Sequence, residues 1–202
     1  ADFALFSCKE GLKHFAESLT KTMPYDANRV HLPSGEYLNG SYITAQGKHF
    51  IAIETPKMNE SEKFWELVAS HEVELIVTLG DDAANFFPEK REMYIAGPYG
   101  IKCLHEKIHK ISETEFIKQR YYLTTDGSSR SSIIELAYIS NDEKEPSSLA
   151  LAYLQKKMHK LSPNRKTPLI HTQSNMRAIG ALVAACVPSS LTAIETQRHN
   201  FL

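Results

Sequence analysis

The sequence is poor in cysteine, has no excess of either charge and contains no long hydrophobic run. Cys8, Cys103 and Cys186 lie far apart, and an odd number without a pairing framework predicts a reducing compartment. Lys and Arg total 23 against 24 Asp and Glu, which gives no electrostatic reason to expect nucleic acid as a partner. No apolar stretch approaches the roughly 20 residues that cross a bilayer, so we expect no membrane-spanning segment.

The sequence contains nine histidines, a residue type that often binds metal ions. His105 and His109 are four residues apart, but they fall in a predicted strand, where that spacing separates them by about 13 Å. No third ligand is evidently placed with them, so the sequence predicts no metal site. Nothing in the sequence calls for a cofactor either.

The pattern of apolar residues predicts one α/β (α+β) domain over residues 1–202, without repeats or linkers. Strands are predicted at 37–45, 49–53, 73–79, 91–95, 100–109, 116–124, 132–139 and 167–171. Helices are predicted at 9–20, 59–68, 146–160, 176–187 and in the last ten residues. Asn59 and Glu62 have the spacing of a capping box at the start of the second helix.

Seven segments, in the right order, resemble the conserved motifs of the protein tyrosine phosphatase domain. They are residues 24–30, 37–43, 50–56, 64–65, 73–79, Lys90 with Tyr94, and 99–100. Each motif is weak alone, but chance rarely orders seven of them at compatible spacing. The resemblance covers the chain from about Lys21 to the C-terminus. It implies the tyrosine phosphatase fold, a twisted mixed β-sheet with helices on both faces.

The signature loop of that family, H-C-x-x-x-x-x-R, corresponds here to a loop that lacks its two essential side chains. The corresponding residues are His171, Thr172, Gln173, Ser174, Asn175, Met176, Arg177 and Ala178. In the family a cysteine thiolate attacks phosphotyrosine, and the arginine grips the phosphate oxygens. Thr172 stands at the nucleophile position and Ala178 at the arginine position. A threonine hydroxyl is a poor nucleophile without a dedicated base, and alanine supplies no charge.

Arg177 stands one position before the expected arginine. Adjacent positions on a helix diverge by about 100°, which favours a side chain that points elsewhere. Asn175 and Arg177 also replace the loop glycines, so the loop is not expected to keep its phosphate-binding shape.

Four further positions carry over from the resemblance. Asp142 falls on the general acid, in a loop that has lost the tryptophan, proline and glycine of the family. Leu19 and Lys21 stand in the phosphotyrosine recognition loop, where the family has an aromatic residue and an aspartate. Glu195 falls where the family has a catalytic glutamine. The stretch 181–194 is shorter than in the family, because of either a deletion or residues missing from this numbering.

These replacements predict that the chain is not an enzyme but a pseudophosphatase, a catalytically inactive domain with a regulatory or protein-binding role. The arrangement we favour is the membrane-distal domain of a receptor-type tyrosine phosphatase, with an adjacent catalytic phosphatase domain as partner. A free-standing pseudophosphatase that binds a phosphoprotein or a kinase is the alternative. A reprogrammed phosphatase with residual activity, using Asp142 and Arg177, is a third possibility. The expected location is cytoplasmic, or the intracellular part of a membrane receptor.

Overall fold

The computed structural model describes residues 11, 13, 18, 23–80, 87–127, 131–141, 146–161, 167–173 and 176–187. Eight strands are β1 (Gly40–Ala45), β2 (Lys48–Glu54), β3 (Leu75–Leu79), β4 (Met93–Ala96), β5 (Tyr99–Lys110), β6 (Glu115–Thr125), β7 (Ser131–Asn141) and β8 (Leu169–Thr172). Three helices are α1 (Ser61–Ser70), α2 (Ser148–Leu161) and α3 (Met176–Cys186).

The eight predicted strands and the three predicted helices in this part of the chain are present, with ends shifted by a few residues. Of the helix predicted at 9–20, the described residues Gly11 and Lys13 are helical and most of the others lie outside the described residues. The helix predicted in the last ten residues also lies outside them, and a single domain over 1–202 stays a prediction. The capping box is wrong. Met58–Glu60 form a 3-10 turn, and α1 begins at Ser61 with Glu60 at the N-cap and no side-chain capping bond. Asn59 is inside that turn and therefore cannot cap the helix.

All eight strands form one mixed sheet in the order β1-β2-β8-β3-β7-β6-β5-β4. The neighbours β2, β8, β3 and β7 are parallel, whereas the remaining pairs are antiparallel. The carboxyl ends of the four parallel strands therefore meet at one edge, which is where open α/β sheets place their functional loops.

Alternating side chains of the strands build a core on each face of the sheet. In β2, Ile51 and Ile53 pack in the same cluster as Trp65 of α1, whereas Phe50 and Ala52 belong to the cluster that includes residues of α2 and α3. Because successive side chains of a strand point to opposite faces, both faces of the sheet are buried under helices. The predicted tyrosine phosphatase architecture, a mixed sheet with helices on both faces, is confirmed.

Within the described part of the chain, no helix is both long enough and apolar enough to cross a membrane.

Candidate functional site

The end of strand β8 brings His171 and Thr172 into the middle of the parallel sheet. His171 lies in register with Ile53 of β2 and Thr78 of β3, on either side of it. Both His171 and Thr172 are buried. The predicted nucleophile position is therefore at the edge of the sheet where the parallel strands end.

The His171 ring bridges two threonine hydroxyls from the flanking strands. Its Nδ1 lies 2.8 Å from Thr55 Oγ1, and its Nε2 lies 2.7 Å from Thr78 Oγ1. The rings of Phe64 and Phe87 pack at centroid distances of 5.1 and 5.5 Å. Burial among these groups lowers the pKa of His171 to about 3. The imidazole is thus neutral at physiological pH, and one nitrogen donates to a hydroxyl while the other accepts from one.

The Thr172 hydroxyl is held by the neighbouring strand. Thr172 Oγ1 donates to the carbonyl oxygen of Leu79 at 2.9 Å, and only 1% of the residue is exposed. The Thr55 N–H in turn donates to the Thr172 carbonyl at 2.9 Å. A threonine that acts as a nucleophile needs a base to take its proton. Here the proton is directed at a backbone carbonyl, and both ring nitrogens of the adjacent His171 are engaged by Thr55 and Thr78.

A buried carboxyl group lies one residue from Thr55. Glu54 Oε2 accepts hydrogen bonds from Ser18 Oγ at 2.7 Å and from Asn39 Nδ2 at 2.8 Å. Glu54 ends β2 and is 8% exposed. We name Ser18, Asn39, Glu54, Thr55, Thr78, His171 and Thr172 the strand-end cluster. It contains one carboxyl group and no lysine or arginine.

The sequence interpretation missed Glu54, Thr55 and Thr78 as neighbours of the signature loop. A carboxylate directly after the apolar run Phe50–Ile53 was a local signal for a buried polar site. No local signal pointed to Thr78, because its contact with His171 depends on β3 lying next to β8.

At the start of α3, the side chains of Arg177 and Ala178 lie in different environments. Ala178 is buried in the core cluster shared with α2, whereas the Arg177 side chain is exposed. An arginine at position 178 would therefore have to enter a packed apolar region. Met176 packs partly against the same core.

Gln173 follows Thr172, and its Oε1 is buried without a hydrogen-bond partner. A buried acceptor without a donor is unfavourable. Other predicted site residues lie outside the described residues. They are Leu19, Lys21, Asp142, Ser174, Asn175 and Glu195. In the part of the chain that the structure describes, no three His, Cys, Asp or Glu side chains are grouped to hold a metal ion.

A mixed sheet whose central strand leads through a short loop into a buried helix defines an α/β domain of the phosphatase type. A sequence model of the protein-tyrosine phosphatase family matches residues 16–187. The chain therefore belongs to the protein-tyrosine phosphatase family. A comparison with curated protein sequences finds no match.

Solved structures of the same family share the fold. The catalytic domain of human protein tyrosine phosphatase non-receptor type 18 superposes with a TM-score of 0.79 at 19% identity, covering 96% of this chain and 80% of that one. PTPN18 in complex with HER2-pY1196 phosphopeptides gives a TM-score of 0.80 at 18% identity, covering 97% and 78%. At these identities the likeness shows the fold.

The prediction that the chain is not an enzyme is contradicted by these comparisons. The matching family is one of phosphatases, and the similar structures include a catalytic domain and its complex with phosphopeptides. The expected replacement of cysteine by Thr172 and of arginine by Ala178 was an insufficient basis for that prediction. Position 172 has no thiol and position 178 no guanidinium, which is a narrower statement than the absence of any enzymatic activity.

Proposed function

We propose that this domain of the protein-tyrosine phosphatase family has a regulatory role and acts by binding a protein partner. The observation that carries the proposal is the arrangement of Thr172, whose hydroxyl is buried and donates to Leu79. A buried hydroxyl that is hydrogen-bonded in this way stabilises the fold. Thr172, which the family resemblance puts at the nucleophile position, thus contributes to the stability of the sheet edge.

The partner that fits best is a catalytic phosphatase domain next to this one, as in a receptor-type tyrosine phosphatase. The strand-end cluster has no lysine or arginine, and Ala178, which the family resemblance puts at the arginine position, is buried. A phosphotyrosine side chain would therefore depend on backbone N–H groups at the start of α3, which provide limited affinity. We expect phosphotyrosine to bind with a millimolar dissociation constant or weaker, about 4 kcal/mol or less.

The alternative is a free-standing domain that binds a phosphoprotein or a kinase. It is supported by the shared fold with PTPN18, which has been solved with phosphopeptides. Exposed Arg177 is the cation from the described part of the loop that could contribute to such binding.

Two measurements separate these functions. The full-length sequence should contain a transmembrane helix and an upstream domain with an intact H-C-x-x-x-x-x-R motif. Hydrolysis of para-nitrophenyl phosphate by that upstream domain should change when the present domain is removed. A full-length chain without the upstream domain, or unchanged kinetics, would contradict the proposal.

Calorimetry with a phosphotyrosine peptide and its unphosphorylated counterpart tests the alternative. Micromolar binding that requires the phosphate and is lost in Arg177→Ala would replace the regulatory proposal by phosphoprotein binding. Equal, weak binding of the two peptides supports the first proposal.

A further inference from the structure

Among the described strands, none pairs with the second half of β5 on one of its two sides. The edge strand β4 pairs with β5 only between Met93–Ala96 and residues 99–102. On its other side β5 pairs with β6 as far as Lys110. The register shifts between Cys103 and His105, and beyond this bulge no described strand lies beside residues 105–110 on the side opposite β6. Six residues of extended backbone span about 20 Å.

Large apolar side chains are exposed along this edge. Leu104 is 45% exposed and Ile108 is 58% exposed. On the neighbouring strand β4, Met93 and Ile95 are 62% and 66% exposed. Side chains of this kind gain free energy when another chain covers them.

The exposed charges of the same segment are basic. Lys107 and Lys110 are exposed, and Lys110 forms an ion pair with Glu113 at 2.8 Å. Glu106, the one acidic side chain of β5, is paired with Arg120 of β6 at 2.5 Å and is mostly buried. Among the described residues, the exposed charge of this edge that makes no ion pair is therefore the positive charge of Lys107.

Lysines and a bulge are also the means by which proteins protect a free edge against unwanted pairing. Protection alone does not account for the exposed side chain of Ile108, because an edge strand that is protected in this way is expected to carry polar side chains. The combination of a basic edge with exposed Ile108 and Leu104 matches strand addition, in which backbone bonds supply affinity and alternate side chains supply specificity.

We propose that residues 104–110 of β5 bind an extended peptide segment of a partner protein that alternates acidic and apolar side chains, added as a ninth strand. Because side chains alternate between the two faces of a strand, acidic side chains of the segment pair with Lys107 on one face of the sheet, and apolar ones cover Ile108 on the other. This inference rests on the proposed protein-binding role and specifies its surface. It does not involve the signature loop.

Fluorescence anisotropy with a labelled peptide of three Glu-Val repeats tests the proposal on the full chain. A Lys-Val peptide and a Glu-Val peptide interrupted by proline are the controls, since the first reverses the charge and the second cannot form a strand. We expect binding of the first peptide only, and weaker binding at high salt. Equal binding of the three peptides, or no binding of the Glu-Val peptide at millimolar concentration, would overturn the inference.

Two charge reversals on the same strand provide a matched pair. Lys107→Glu lies on the open edge, whereas Lys102→Glu lies in the part of β5 that β4 already covers. We expect Lys107→Glu to weaken peptide binding at least about five-fold and Lys102→Glu less than about two-fold. Circular dichroism checks that both variants fold. Equal effects of the two substitutions would overturn the inference.

Sedimentation of the chain alone tests whether a second copy of the chain occupies this edge instead of a partner peptide. A dimer that dissociates in Lys107→Glu would assign this edge to a second copy of the chain and overturn the inference. If the peptide experiment fails while removal of the domain still changes the activity of an upstream phosphatase domain, the regulatory function stands and only this surface is wrong.

Discussion

The Thr172 hydroxyl and the Leu79 carbonyl join the ends of two adjacent parallel strands through a hydrogen bond of 2.9 Å. Thr172 ends β8 and Leu79 ends β3. The bond uses the hydroxyl of the residue that the family resemblance puts at the position of the thiol. Its burial makes it a stabilising element of the sheet edge.

Removing this hydroxyl should destabilise the fold. In Thr172→Val the shape is kept, but the donor is lost and the Leu79 carbonyl loses this bond. We expect the free energy of unfolding to fall by about 1–3 kcal/mol. Urea denaturation measures it. Thr44→Val on exposed β1 is the control and should change stability by less than about 0.5 kcal/mol. A stable Thr172→Val protein would contradict the structural role of the bond.

Restoring the two signature residues should not produce an ordinary family enzyme. Thr172→Cys with Ala178→Arg supplies a thiol, but the arginine side chain starts in the packed core between α2 and α3, so kcat/KM for para-nitrophenyl phosphate should stay well below that of a family enzyme. Leu19 and Lys21 would still replace the recognition residues that the family resemblance implies. Each missing positioning element can cost roughly 100-fold or more in rate. Parity with the human PTPN18 catalytic domain, measured in parallel, would refute the prediction.

Position 178 should tolerate charge much less well than position 177. Ala178 is 3% exposed, and a guanidinium there must enter the core between α2 and α3. We expect Ala178→Arg to lower the free energy of unfolding by about 3 kcal/mol or more. Arg177→Ala, one residue earlier on the exposed surface, should change it by less than about 0.5 kcal/mol. Similar melting temperatures for the two variants would show that α3 is packed differently.

Stability should fall on acidification because His171 is held neutral. Burial lowers its pKa to about 3 in the folded chain, whereas the unfolded imidazole titrates near its ordinary value of about 6.5. Below pH 6.5 the unfolded state binds a proton that the folded state excludes. The stabilisation is thus fully present above pH 6.5 and is lost progressively between about 6.5 and 3, by up to about 1.4 kcal/mol per pH unit.

Urea denaturation at pH 7.5 and 5.0 measures this loss, and His171→Gln should show a smaller one. Other histidines contribute equally to both proteins, so the difference reports on His171. Equal pH dependence would contradict the prediction. If the variant does not fold, NMR provides the test, because the ring signals of His171 in the unmodified chain should not titrate between pH 8 and 5.

The elements that could be predicted were those with a local pattern. The β-branched run at 73–79 and the strands predicted at 100–109 and 116–124 matched β3, β5 and β6 to within two residues at each end. The capping box at Asn59 failed because the chain makes a 3-10 turn there, and a spacing of three residues does not distinguish the two structures. Predictions for Asp142 and Glu195 remain untested, since both lie outside the described residues.

The sequence by itself determined the family and the fold class, because both follow from the periodicity of side chains and from the order of motifs along the chain. It also determined that position 172 has no thiol and position 178 no guanidinium. Only the tertiary structure decided what Thr172 and His171 do instead. Their partners Leu79, Thr78 and Thr55 are 93 to 116 residues away in the chain. Those contacts exist because β8 inserts between β2 and β3, an order that depends on how the strands pack together.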